Sequence, residues 1–109
     1  MAPATTTTDA FTAIADTRRR DILLALAGGE AAVGEIVDRL RLSQPQVSKH
    51  LSVLRTVGLV RCRTDGRRRL YRVHGPALHP VRDWMQTFAA HCNERLGDLL
   101  VELQQEENQ

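Results

Sequence analysis

At 109 residues, 42% of them hydrophobic and with a net charge of +2, the chain has room for one domain with a small core that self-association would help to complete. Two cysteines, Cys62 and Cys92, are too few for a disulfide scaffold and point to a reducing compartment. No apolar run of about 18 residues is present to cross a membrane, and the opening MAPATTTTDA lacks the apolar centre of a secretion signal, so the expected location is the cytoplasm.

The modest net charge hides a polarity. Between positions 39 and 72 there are ten basic residues and one acid, a net +9, whereas positions 75 to 109 hold two basic and six acidic residues, a net −4. A basic block of that density marks a polyanion-binding half. Only Lys49 among the basic residues is lysine, which favours a GC-rich, bacterial source.

In chain order, residues 1–8 form a threonine-rich tail without periodicity, expected to be disordered, and the remaining 9–109 are expected to form a single domain. Asp9 or Thr8 can cap a short first helix carrying Phe11, Ile14 and Ala15. A second helix carries Ile22, Leu23 and Leu26 and stops at Gly28-Gly29. Its Arg18, Arg19 and Arg20 either pair with surface acids or touch a DNA backbone. A third helix is expected over about 32–41, with Val33, Ile36, Val37 and Leu40 on one side.

The fourth helix, about 43–57, is the most informative. Ser43 and Gln46 have capping-box spacing, Pro45 is tolerated in a first turn, and Gly58 supplies a left-handed stop. Val47, Leu51 and Leu54 form an apolar stripe. The opposite face carries Ser43, Gln44, Gln46, Ser48, Lys49, Ser52 and Arg55, and no carboxylate occurs from position 43 to position 64. Amides and hydroxyls can bond base edges while cations neutralise phosphates. His50, at the border of the stripe, is either a half-buried packing residue or a phosphate donor. The connection to the preceding helix is short enough for a helix-turn-helix, with the second helix in the major groove.

Two extended runs follow, 59–64 and 67–73, separated by Asp65-Gly66, the signature of a type I′ hairpin turn. Tyr71 and Val73 share its core face. Arg67, Arg68 and Arg69 are expected at the tip, unpaired and able to enter a minor groove or bind phosphate. The whole hairpin, 59–73, reads as a wing.

A last helix over about 76–106 repeats Leu78, Val81, Met85, Phe88, Cys92, Leu96, Leu99 and Leu103 every three or four residues. That stripe exceeds what a small domain can cover, so a second copy of the helix is the expected partner, with Phe11 beside it. A ligand pocket is the alternative use of the stripe. The fold class expected is thus mainly α with a two-stranded wing, dimerising through its terminal helices.

The motifs A-D-T-R-R-R-D-I-L (15–23), V-G-E-I (33–36), L-S-Q-P-Q-V-S-K-H-L (42–51), V-L-R-T-V-G-L-V (53–60) and D-G-R-R-R-L-Y-R-V (65–73) resemble the ArsR-type winged helix-turn-helix repressors of bacteria. A departure is Arg18, where members usually have threonine. The resemblance implies a homodimer on an inverted-repeat operator in double-stranded DNA, repressing its own or neighbouring genes. Metal-sensing members carry C-V-C where this chain has Ala32, Val33 and Gly34. A second family site, D-x-H-x10-H-x2-E/H, is matched only at His91 and Glu94, with His79 out of register and Ala77 in place of the acid. No metal site and no cofactor are therefore expected, and a small-molecule effector stays unidentified. Alternatives are a metal- or thiol-responsive sensor using Cys62 or Cys92, and a winged-helix protein-interaction module. No phosphate loop, H-E-x-x-H or nucleophile motif supports an enzyme.

Overall fold

The computed structural model describes residues 9–107; the tail 1–8 lies outside the described residues. The element order is α1 (Ala10–Ile14), α2 (Thr17–Ala27), β1 (Ala31–Ala32), α3 (Val33–Leu40), α4 (Gln44–Thr56), β2 (Val60–Asp65), β3 (Arg68–Val73), a 3-10 turn (Gly75–Leu78) and α5 (His79–Glu107). The chain divides into two compact units, one ending at Leu78 and one beginning at His79.

Helices α1 and α2 start where an aspartate can satisfy the orphan amides. Asp9 accepts the Thr12 N–H at 2.9 Å, and Asp16 accepts those of Arg18 and Arg19 at 2.9 and 3.2 Å. These bonds favour the ionised form, and both carboxyls sit below the usual aspartate range, with the amides of Thr12 and Arg19 as the leading causes. Arginine at position 18 leaves this helix start intact, because the cap uses only its backbone. The packing face of α1 differs from expectation: Ala10 and Ala13 are buried and Phe11 is exposed. Small residues let this short helix lie close to its neighbour, and the larger Phe11 is turned outward.

Arg19 and Arg20 neither pair with acids nor point freely at solvent. Arg19 donates to the carbonyls of Ala13 (2.7 Å) and Thr12 (3.3 Å), and Arg20 donates to that of Ile14 (2.7 Å). A helix end leaves its last carbonyls unpartnered, and these guanidinium groups tie the end of α1 to the start of α2.

The core joins Ile22 and Leu26 of α2, Ile36 of α3, Val47, Leu51 and Leu54 of α4, and Leu59 and Val60 beyond it, all at 2% exposure or less. Each such side chain contributes about 1.5–3 kcal/mol of transfer free energy. Between α3 and α4, Arg41 adopts the left-handed conformation (φ 56°) and its N–H reaches Val37 at 2.8 Å, so the two helices are joined by a tight turn. At the far end of α4, Gly58 (φ 81°) donates to Arg55 at 3.0 Å and Leu59 to Leu54 at 2.9 Å. This is a Schellman stop whose hydrophobic contact is the buried Leu54–Leu59 pair.

The sheet has three strands rather than the expected two, in the order β1-β3-β2 and antiparallel throughout. Ala31 and Ala32 pair with Tyr71 and Leu70. Two alanines after Gly28-Gly29-Glu30 carry no strand signal of their own; pairing with β3 makes them extended. Because β3 is central, both Leu70 and Tyr71 are buried although they face opposite sides, and Val73 is only half-buried.

The hairpin turn is shifted by one residue from its expected place. Asp65 pairs with Arg68, so the loop is Gly66-Arg67. Only Gly66 has positive φ (64°), which fits a type II′ turn with glycine first and not a type I′ turn centred on Asp65-Gly66. Leu78 lies in the 3-10 turn and not in the long helix, which begins at His79.

In α5, Val81 is buried, whereas Trp84, Met85 and Phe88 are exposed to 56, 58 and 55%. Trp84 and Phe88 stack with centroids 5.2 Å apart, Cys92 is half-buried, and Leu103 is exposed. The side chains of Leu96 and Leu99 lie outside the described residues. Among the described residues no helix is long and apolar enough to cross a membrane.

Candidate nucleic-acid interface

The polar face of α4 begins at its cap. Ser43 Oγ accepts the Gln46 N–H at 3.3 Å, while Gln46 Oε1 accepts the Ser43 N–H at 3.0 Å and lies 3.1 Å from Ser43 Oγ. The capping box expected from S-x-x-Q is therefore present. It has a consequence the spacing did not reveal: the Gln46 carbonyl is committed to the cap, and only its Nε2 hydrogens are left for a partner. One turn on, Gln44 Nε2 donates to Ser48 Oγ at 3.2 Å, so these two polar groups orient each other. Lys49, Ser52 and Arg55 are exposed, and Ser52 also accepts the Thr56 hydroxyl through its carbonyl at 2.9 Å.

His50 is half-buried, and its Nδ1 is enclosed without a partner among the described residues. Half-burial fits the packing role that the sequence left open for it.

On the wing the three tip arginines are not equivalent. Arg68 is paired with Glu35 of α3, Nη2 to Oε1 at 2.5 Å, which corrects the expectation that nothing could pair it. Arg69 lies beside the Cys62 side chain, the leading cause that raises its pKa above the ordinary arginine value. Among the described residues Arg67, at the turn itself, has no hydrogen-bond or ion-pair partner. Lower on the hairpin, Arg63 forms a fork with Glu30 that includes Nε to Oε2 at 2.9 Å. That contact holds the Glu30 carboxyl below its ordinary range and raises Arg63 above its own.

Glu30 and Glu35 were not singled out in the sequence, nor were Arg61, Arg63 and Arg72. Arg61 faces Arg72 directly across β2 and β3, and Arg61 Nη2 lies 3.2 Å from His74 Nε2. The correct hairpin register is the signal that would have aligned these residues, and it depended on placing the turn at Gly66-Arg67.

Along α5, His91 Nδ1 is 2.8 Å from the Thr87 carbonyl within the same helix. The Glu94 side chain lies outside the described residues. Among the described residues no group of three or more His, Cys, Asp or Glu side chains is placed to hold a metal ion.

A helix-turn-helix with a carboxylate-free outer face, flanked by an arginine-tipped hairpin, defines a winged-helix DNA-binding protein. Residues 16–61 match the family model described as bacterial regulatory protein, arsR family. The chain is 43% identical over 79 residues to the HTH-type transcriptional regulator Rv2034 of Mycobacterium tuberculosis, covering 72% of this chain and 74% of that protein. It is 32% identical over 78 residues to the transcriptional repressor SdpR of Bacillus subtilis, covering 72% and 87%. Among solved structures, an ArsR-like transcriptional regulator from Rhodococcus superposes with a TM-score of 0.69 at 28% identity, covering 91% of this chain and 88% of that one. The chain belongs to the arsR family of bacterial regulatory proteins and is a DNA-binding transcriptional regulator. Proteins of this family are not enzymes.

Proposed function

We propose that the protein is a homodimeric repressor that binds an inverted-repeat operator in double-stranded DNA in the bacterial cytoplasm and controls its own or adjacent genes. The observation that carries this is the outer face of α4. From Ser43 through Arg55 it presents amides, hydroxyls and cations with no carboxylate, a composition suited to base edges and phosphates and unsuited to a merely solvated helix. Gln44, Gln46 and Ser48 read bases; Ser43, Lys49, His50, Ser52 and Arg55 hold the backbone; Arg67, with Arg68 and Arg69 behind it, meets the flanking groove.

The dimer is supported by the exposed Trp84, Met85 and Phe88 of α5 and by Phe11 of α1, large apolar groups that water solvates poorly. Leu78, Val81, Cys92, Leu96, Leu99 and Leu103 are assigned to the same interface. The Bacillus subtilis relative SdpR is a transcriptional repressor. The test is selection of fragments from the source genome by the purified protein, followed by binding at several salt concentrations. Recovery of paired half-sites about one helical turn apart, upstream of its own gene, is the expected result. Binding to all duplexes with equal affinity would refute the operator reading.

A further inference from the structure

We propose that the base of the wing carries a phosphate-binding site, formed by the guanidinium groups of Arg61 and Arg72 on the hairpin together with that of Arg55 in the last turn of α4. A depression of about 380 Å³ opens between the end of α4 and β2, lined by these three residues together with Gly58 and Arg63. Arg61 and Arg72 are direct cross-strand partners and project from the same face of the hairpin. Like charges so placed repel, and a fold keeps them together at a cost unless an anion sits between them. Two acids of this region hold other partners: Glu30 forks with Arg63, with Arg72 in its electrostatic reach but not in ion-pair contact, and Glu35 pairs with Arg68. Among the described residues no carboxylate lies within ion-pair distance of Arg55, Arg61 or Arg72. Planar guanidinium forks match the oxygens of a phosphate group and bind it more strongly than neutral donors do. β2 is moreover an edge strand of the sheet, with no further strand paired on its outer side.

The phosphate can come from the DNA backbone or from a free phosphate-bearing ligand, and only the first of these rests on the proposed operator binding. The test uses the full-length 15N-labelled protein, with the arginine Nε–H signals followed while inorganic phosphate replaces chloride at constant ionic strength. Saturable shifts at Arg61 and Arg72, lost in R61Q and in R72Q and kept in R67Q, are expected. In parallel, the salt dependence of duplex binding is measured for the same variants. A slope reduced by about 0.9 for each lost contact, with the ratio of specific to non-specific affinity unchanged, identifies a backbone phosphate. Saturable shifts with unchanged slopes identify a free ligand. Absence of both, or equal loss of the shifts in R67Q, overturns the site. A wild-type protein that fails to bind duplex at all would refute the regulator reading while the phosphate titration still decides this one. Because the substitutions relieve a like-charge pair, melting in chloride is expected at the wild-type temperature or above, and R72Q alone serves if R61Q, which also loses its His74 contact, does not fold.

Discussion

Arg68 Nη2 lies 2.5 Å from Oε1 of Glu35, the same carboxylate oxygen that accepts the Ala32 N–H at 3.2 Å. One acid therefore serves half of a capping box at the start of α3 and an anchor for the wing. Ala32 has no side-chain acceptor to return the bond, so the box is one-sided. The wing is in this way tied to the helix preceding α4, and one of its tip cations is neutralised before DNA arrives. Substituting Glu35 by Gln keeps the capping oxygen and releases Arg68. Stability is expected to change by less than about 1 kcal/mol, as for other exposed pairs, while non-specific DNA affinity rises and the salt slope steepens by about 0.9. Urea denaturation and a salt series with a random duplex measure the two effects. An unchanged slope would mean that Arg68 does not reach phosphate even when freed.

Helix and wing are expected to divide specificity and affinity. Gln44→Ala removes a donor and leaves Ser48 without its orienting partner, so discrimination against a mismatched operator should fall by about 1–3 kcal/mol, the worth of a good base contact. Arg67→Ala should weaken binding to every sequence alike and lower the salt slope by about one unit. Competition binding with matched and mutated operators checks both; a specificity change confined to Arg67→Ala would reverse the assignment.

Self-association is tested at the stacked pair on α5. Phe88→Asp removes the ring that stacks on Trp84 and puts a charge amid exposed apolar groups. In a dimer interface that charge would be desolvated without a partner, so light scattering should report monomer where the wild type is dimeric, with melting lowered and made insensitive to concentration. A Phe88→Asp protein that remains dimeric would place the interface elsewhere.

Acid should act on the helix caps. Asp16 has its pKa lowered chiefly by the Arg19 amide, so its carboxylate is bound more tightly in the folded state than in the unfolded chain. Its contribution is therefore complete above the ordinary aspartate range and is lost as pH falls through the lowered folded-state value. The stability difference between wild type and Asp16→Asn, which keeps a neutral cap, should be present at pH 7 and vanish in that acid window. Thermal melts across pH 2 to 7 would show it (about that range bracketing the titration); a difference independent of pH would assign the cap's worth to geometry alone.

Zinc, cadmium, nickel and arsenite are expected to leave operator affinity nearly unchanged. Positions 32 and 34 carry Ala and Gly where thiolates would be needed, and His91 spends one ring nitrogen on its own helix. A loss of affinity beyond about tenfold, worth about 1.4 kcal/mol of coupling, that disappears in His91→Ala would reveal a sensor site on α5. Loss of the effect in Cys62→Ser or Cys92→Ser would instead reveal thiol sensing.

What the sequence by itself determined was local. Capping at Asp9 and Ser43, the glycine stop at Gly58, the α4 core stripe of Val47, Leu51 and Leu54, and the cationic outer face all follow from residues within one or two helical turns of each other, where spacing alone decides which groups meet. The family was legible for the same reason, through contiguous motifs. Tertiary structure decided whatever required partners distant along the chain. Ala31-Ala32 become a strand only because β3 offers them a ladder, and Arg63 and Arg68 find Glu30 and Glu35, each 33 residues away. The hairpin illustrates both regimes. Its existence was legible in the Asp-Gly pair, but its register was set by pairing Val60 with Val73 through Asp65 with Arg68. Moving the turn by one residue moves every cross-strand partner by two, so that Arg61 comes opposite Arg72 and not Leu70, and that register decides which arginines are left facing one another.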